Sequence, residues 1–287
     1  MAPCTVRPLL LTVIGLVTLS IFFQAPSFGI GALYYRDPYS SPVALLAARL
    51  HEETRYAATL KARQGLIEKH GPRDFFITSF QCSHHVERIG VLGDGGKWVC
   101  GMERIAKQEK CINGESSFES TLLKRGPGCE VWGYDYSVNN RGPEIADDPE
   151  VRDRAHFKPF ALGGTNNHED HDNPKCWTLD SLMDLNGHTG GEFDGLTTFL
   201  SAHAAAAEGD VLPVGQLQLE VYAREGHENF EYFARWWASL EAADPRPFWT
   251  EPNLVYINLV RGMRPELAEY SFINIRGNHA LVNEAFN

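Results

Sequence analysis

From Pro8 to Tyr35 the chain has no charged residue at all, and this 28-residue gap lies between Arg7 and Arg36. Basic clusters are missing as well: 26 Lys and Arg against 37 Asp and Glu leave a net charge of −11, with no run of cations. Binding a nucleic-acid backbone needs a concentrated basic face, so a nucleic-acid partner is excluded. No Cys-x-x-Cys pair occurs among the six cysteines, which argues against a structural zinc site. No Asn-x-Ser/Thr acceptor occurs either, so glycosylation gives no sign of compartment.

The uncharged stretch opens with a nearly continuous apolar run, Leu9 to Phe23. About 15 apolar residues are short for a span of about 20, but apolar and aromatic character resumes through Phe28 to Tyr35. Residues 8–35 are therefore expected to act as a signal anchor in a membrane, with a cleaved signal peptide and a buried N-terminal helix as the alternatives. Arg7 on the short side places the N-terminus in the cytoplasm and the rest in the lumen of the secretory pathway, as a single-pass membrane protein. Cys4 precedes the run, leaving Cys82, Cys100, Cys111, Cys129 and Cys176 beyond it. Five allow one or two disulfides and a spare thiol, and their pairing cannot be read from the sequence.

The remaining chain divides into a linker and stem helix, 36–73, and a domain, 74–287. With 43% hydrophobic residues overall, there is enough chain for one well-buried domain. Val43 to Lys69 is rich in Ala, Leu, Glu and Arg and ends at Gly71 and Pro72, which predicts an amphipathic helix. Strands are predicted at Val131 to Tyr134, His156 to Phe160, Gln216 to Tyr222, Leu254 to Val260 and Tyr270 to Ile275. Helices are predicted after Ser116, at Glu192 to Ala206 and at Phe230 to Ala243. Arg141 to Arg154 and Gly163 to Lys175 read as loops. Strands alternating with helices, followed by a late strand pair, indicate an α/β fold whose parallel sheet carries an antiparallel element.

Chemistry first shows at Asn113, Gly114, Glu115 and Ser116, a glycine and acidic turn that opens an apolar helix. Free NH groups at such a helix N-terminus suit a phosphate or adenosine, Gly114 permits close backbone approach, and Ser116 can cap the helix. About 20 residues beyond the glycine, a short apolar strand ends in Asp135, at the distance where an acid accepts hydrogen bonds from a ribose diol. An ordinary helix cap and a solvated strand-end acid are the bland alternatives.

Longer stretches carry a resemblance. Cys82-Ser-His-His-Val-Glu-Arg-Ile-Gly, Gly93-Asp-Gly-Gly-Lys-Trp-Val-Cys100, Asn113-Gly-Glu-Ser-Ser-Phe-Glu and Trp132-Gly-Tyr-Asp-Tyr-Ser137 resemble a methyltransferase-like domain family. Its members are relatives of methyltransferase-like protein twenty-four and, more distantly, of FkbM-type methyltransferases. His156 to Gly163, Trp177 to Leu182, Leu212 to Val221 and Trp249 to Arg276 continue the likeness. The resemblance implies a Rossmann-like domain that binds S-adenosylmethionine and transfers its methyl group to an acceptor that the sequence does not name. On this reading Asp94, Gly95 and Trp98 line the methionine end of the cofactor, Asn113 to Ser116 form its turn, Asp135 holds its ribose and Leu162 flanks its adenine.

Two departures stand out. The family carries an apolar strand between the positions of Cys111 and Asn113, where this chain has only Ile112. It carries another before the position of Gly191, where this chain runs Asn186-Gly-His-Thr-Gly. Buried parallel strands need about 4 to 8 apolar residues, so the expected sheet is incomplete. A non-catalytic pseudoenzyme or binding module, or a truncated version of a competent enzyme, is therefore one rival reading. A metal-dependent hydrolase built on His168, Glu169, Asp170, His171 and Asp172 is another, although that loop's spacing imposes no ligand geometry and no metal ligands are assigned. His84, His85, Glu220 and His227 are the candidate general bases.

Overall fold

The computed structural model describes residues 41–70, 78–92, 95–106, 116–162, 165–187, 215–222, 230–252, 267–276 and 279–282. Helix α1 spans Pro42–His70. Proline suits a first helical position, and the Ser41 hydroxyl accepts from the Ala44 amide at 3.2 Å to close the N-terminal turn. Glu52, Tyr56, Leu60 and Arg63 recur every three or four residues and so share one face. That face is docked on the domain. Tyr56 is buried edge-on against Phe80, with ring centroids 5.9 Å apart. Its hydroxyl donates to Glu241, which also receives two bonds from Arg63, at 3.0 and 2.6 Å, and one from Trp237 Nε1 at 2.7 Å. Arg49 on the same face reaches the carbonyls of Ile275 and Val282, so the helix also meets the end of the chain.

Strands β1 (Val86–Ile89) and β2 (Lys97–Cys100) form an antiparallel hairpin. A disulfide joins Cys100, at the end of β2, to Cys82, four residues before β1. The Gln216 amide bonds both the NH and the carbonyl of Cys100, at 2.9 and 2.8 Å, and ties the hairpin to the C-terminal sheet. Cys129 is disulfide-bonded as well, and Cys176 is free. After the short helix α2 (Met102–Ile105) comes α3 (Ser116–Arg125), then β3 (Val131–Tyr134), a short α4 (Pro143–Ala146) and β4 (Ala155–Lys158). β3 and β4 pair in parallel, Val131 opposite Ala155. Phe118, Leu122 and Leu123 of α3 share a core with Ile89, Val99, Val131 and Ala155, and this core holds hairpin, helix and parallel pair together.

β5 (Ala161–Leu162) and β6 (Cys176–Trp177) form a second, very short parallel pair leading into α5 (Leu179–Leu185). The C-terminal part is an antiparallel sheet in the order β7, β9, β8, from β7 (Gln216–Tyr222), β8 (Pro245–Pro252) and β9 (Leu267–Asn274). Helix α6 (Phe230–Ala242) packs Trp237 and Leu240 on this sheet, with the Trp237 ring 4.9 Å from Tyr270 and steeply inclined to it.

The chain is thus a mixed α/β protein, and among the described residues β3–β4 and β7–β9–β8 are separate sheets. A doubly wound sheet orders its strands 3-2-1-4-5-6, so its first and fourth strands lie side by side in the middle. In the sheet that the resemblance leads one to expect, those two would be the strands for which the sequence has no apolar run, at Ile112 and after Asn186, and residues 107–115 and 188–214 lie outside the described residues. The helix expected at 192–206, the strand expected at 254–260 and the uncharged segment 8–35 lie outside them too. Among the described residues no helix is long and apolar enough to cross a membrane.

Three prolines, Pro245, Pro247 and Pro252, mask β8 as a strand in the sequence. Among the described residues β8 pairs only with β9 and lies at the edge of the sheet, where a missing backbone NH costs little. The chain 141–154, expected to be a loop, contains α4 and a 3-10 turn, Arg152–Arg154. Asn167 and Cys176 form an isolated antiparallel bridge that closes the loop from 165 to 175.

Candidate functional site around the glycine turn

Gly90 and Gly95 bracket the tip of the β1–β2 hairpin with φ of 91° and 88°, values that L side chains rarely adopt. A Cβ on Gly90 would approach the Gly95 carbonyl oxygen at 3.0 Å, the Gly96 Cα at 3.1 Å and the Phe118 Cα at 3.2 Å. The turn therefore lies directly against the first turn of α3. Ser117 fastens the contact, its hydroxyl donating to the Gly95 carbonyl at 2.8 Å. Two motifs about 20 residues apart in sequence, the Gly93–Trp98 run and the helix opened at Ser116, thus become neighbours.

Gly95 is half-buried in this turn, while Asp94, Asn113, Gly114 and Glu115 lie outside the described residues. For Ser116 the helical backbone is described but not the side chain. Trp98 points toward the C-terminal sheet: its ring stacks on Trp249 at 4.0 Å, 26° from parallel, and its Nε1 donates to Glu251 at 2.8 Å. Asp135 follows β3 at its C-terminal end, the end at which ligands sit in open α/β sheets. Its Oδ1 accepts from both the amide and the hydroxyl of Ser137, at 2.7 and 2.6 Å. Leu162 lies in β5, opposite Trp177 of β6. The structure thus brings Gly95 and the first turn of α3 into contact and places Asp135 at the end of a strand that shares their core.

One residue of this region escaped the sequence reading. Glu119, in the first turn of α3, is 1% exposed. An acid is favoured at a helix N-terminus by the backbone dipole, and its place in Ser-Ser-Phe-Glu, directly after the glycine turn, was the available signal.

Beneath the hairpin lies an electrostatic anchor. The sheet register sets Glu220 opposite Glu269, and Glu269 opposite Glu251, so three carboxylates stand in a row across the three strands. Like charges in directly opposed positions repel. Lys97 answers with bonds to Glu220 at 3.1 Å and Glu269 at 3.0 Å, and Arg88 pairs with Glu251. Burial pushes the Glu269 carboxyl up, and Glu220 and Glu251 push in the same direction against Lys97. Burial pulls the Lys97 ammonium down, but Glu269 and Glu220 outweigh it and leave it above its usual value.

Of the candidate bases, Glu220 is held in this ion pair. His84 is buried with Nε2 bonded to the Leu281 carbonyl at 2.9 Å, His85 is exposed, and His227 is outside the described residues. In the acidic loop His168 stacks on Trp177, centroids 3.8 Å apart, and His171 sits 3.7 Å from Asp172. Among the described residues no group of three or more His, Cys, Asp or Glu could hold a metal ion.

Residues 48–183 match the family model of a methyltransferase domain. The match begins inside α1 and ends inside α5, so it takes in the hairpin, the glycine turn, α3, β3 and Asp135. No curated protein matches the chain.

Proposed function

We infer that this chain is a membrane-anchored protein of the secretory pathway whose Rossmann-like methyltransferase domain binds S-adenosylmethionine. The observation that carries the reading is the contact of the Gly90–Gly96 turn with the first turn of α3 through Ser117 and Gly95, inside the segment that matches the family. Glycines in the turn leave backbone open to a close ligand, and a helix N-terminus beside it offers NH donors. Asp135 is the group to accept from the ribose hydroxyls. The cofactor supplies the activated methyl group, and the chain's own part is to hold the two reactants in line. The uncharged segment 8–35 supports a membrane address, and the Cys82–Cys100 disulfide supports an oxidising compartment.

A second reading has its own observation. The sequence has no apolar run for two strands that the family carries, at Ile112 and after Asn186, which favours a binding module that has lost turnover.

Calorimetric titration of the full-length chain in nanodiscs with S-adenosylmethionine separates the two. Micromolar binding that Asp135→Ala abolishes establishes the cofactor site. A cooperatively unfolding sample that takes up no cofactor gives the case to the non-catalytic module.

A further inference from the structure

Helix α1 has a second apolar feature, away from its docked face. Val43, Leu46 and Leu50 are 77%, 55% and 60% exposed. At about 100° per residue these three fall within about 60° of one another and about a third of a turn from the face that carries Tyr56 and Arg63. Further along the same flank the residues are Thr54, Ala57, Lys61 and Gln64, so the exposed apolar stripe is confined to the first turns of the helix. Three large exposed side chains on one short stripe call for a partner more than scattered ones do.

The chain itself says what lies close to that stripe. The uncharged segment ends at Tyr35, seven residues before the helix begins at Pro42. Seven residues reach at most about 25 Å. If 8–35 sits in a bilayer, as the proposed function has it, the start of α1 is tethered within that distance of the membrane surface, and Val43, Leu46 and Leu50 are its only large exposed apolar groups among the described residues of the helix. The polar flank beyond Leu50 has no reason to enter lipid. The docked face is held on the domain by Arg49, Tyr56 and Arg63, so it is not available for lipid in its place.

We propose that the first turns of α1 lie in the headgroup layer of the bilayer that holds residues 8–35, with Val43, Leu46 and Leu50 against the acyl boundary, and so fix the side of the methyltransferase domain that faces the membrane. An interfacial helix buries only an apolar strip of this kind, to about 5–10 Å. The proposal rests on the membrane reading of 8–35, and its test keeps the two apart.

The full-length chain is reconstituted in phosphatidylcholine vesicles with p-benzoylphenylalanine at position 46, 50 or 61, irradiated and analysed by mass spectrometry, while resistance to alkaline carbonate is scored on the same vesicles. The expected result is retention in the membrane, with lipid adducts at 46 and 50 at least tenfold above those at 61. Retention with equal, low lipid adducts at all three positions overturns the docking and leaves the anchor standing. Adducts from 46 and 50 to residues 1–40, or to a second copy of the chain, overturn it in favour of that occupant. Release by carbonate removes the anchor and the docking together.

Discussion

Ser117 Oγ and the carbonyl of Gly95 meet at 2.8 Å, and through them the hairpin that carries the Gly93–Trp98 run is bonded to the helix that follows the second glycine turn. The local chemistry on either side depends on that contact staying tight. Gly90→Ala pushes a methyl group against three backbone atoms at 3.0 to 3.2 Å and forces a positive φ on an alanine. The expected cost is about 2 kcal/mol. Ser117→Ala loses one hydrogen bond and about 1 kcal/mol. Thermal denaturation should show Gly90→Ala melting on the order of 5 °C lower, with Ser117→Ala shifted by about half that.

Lys97 is what makes the glutamate row tolerable. Lys97→Met should destabilise the fold by about 3 kcal/mol at neutral pH, because it removes the cation that Glu220 and Glu269 share. The sign with pH is fixed by Glu269, whose folded pKa is raised: its protonated form is favoured by the fold, so the penalty is present above that pKa and fades as pH falls through it. Urea titrations at pH 7 and pH 5 should therefore show the gap between variant and parent narrowing at the lower pH. An equal gap at both values would remove the row as its cause.

His279 works in the opposite direction. Burial lowers its pKa to about 4, with Nε2 bonded to the Asn274 carbonyl at 3.0 Å. A His held neutral in the fold is charged more readily in the unfolded chain, so stability is intact above about pH 6.5 and declines as pH falls toward 4. The full loss from this group is about 3 kcal/mol. His279→Gln should flatten that part of the stability–pH curve, and a slope unchanged in the variant would assign the acid sensitivity elsewhere.

The disulfide between Cys82 and Cys100 closes a separation of 18 residues around the hairpin. A loop of that order is worth about 3 kcal/mol. The double variant Cys82→Ala, Cys100→Ala should lower the urea midpoint accordingly with little change in slope, whereas a midpoint within error of the parent would mean that Gln216 and Lys97 hold the hairpin by themselves.

How legible was this in the sequence? β3 and β7 fall on the predicted residues, because Val131 to Tyr134 and Gln216 to Tyr222 are apolar or alternating runs between clear breaks. α1 and α6 also match to within a residue or two, on composition and periodicity. β8 was hidden by its prolines, whose cost depends on an edge position that no local pattern reveals. The glutamate row was hidden for a related reason: Glu220, Glu251 and Glu269 are far apart in the chain and become a row only through the register of two strand pairings. At the site, the motifs named Gly95, Trp98 and Asp135, but the Ser117 to Gly95 bond depends on how the hairpin folds back on α3. Glu119 stands in the motif itself, but no local pattern separates a buried acid in a helix's first turn from a solvated one.

The grip of α1 on the end of the chain has a consequence for biosynthesis. Tyr56 waits for Glu241, 185 residues later, and Arg49 for the carbonyl of Val282, 233 residues later. At about 5–20 residues per second a ribosome takes roughly 10 to 50 s to supply those partners. Throughout that interval the helix's inward face, Tyr56 included, is exposed on a nascent chain that has no C-terminal sheet to cover it. The helix is thus the first described element to be made and among the last to be buried, and it is during this delay that the chain depends most on whatever shields that face.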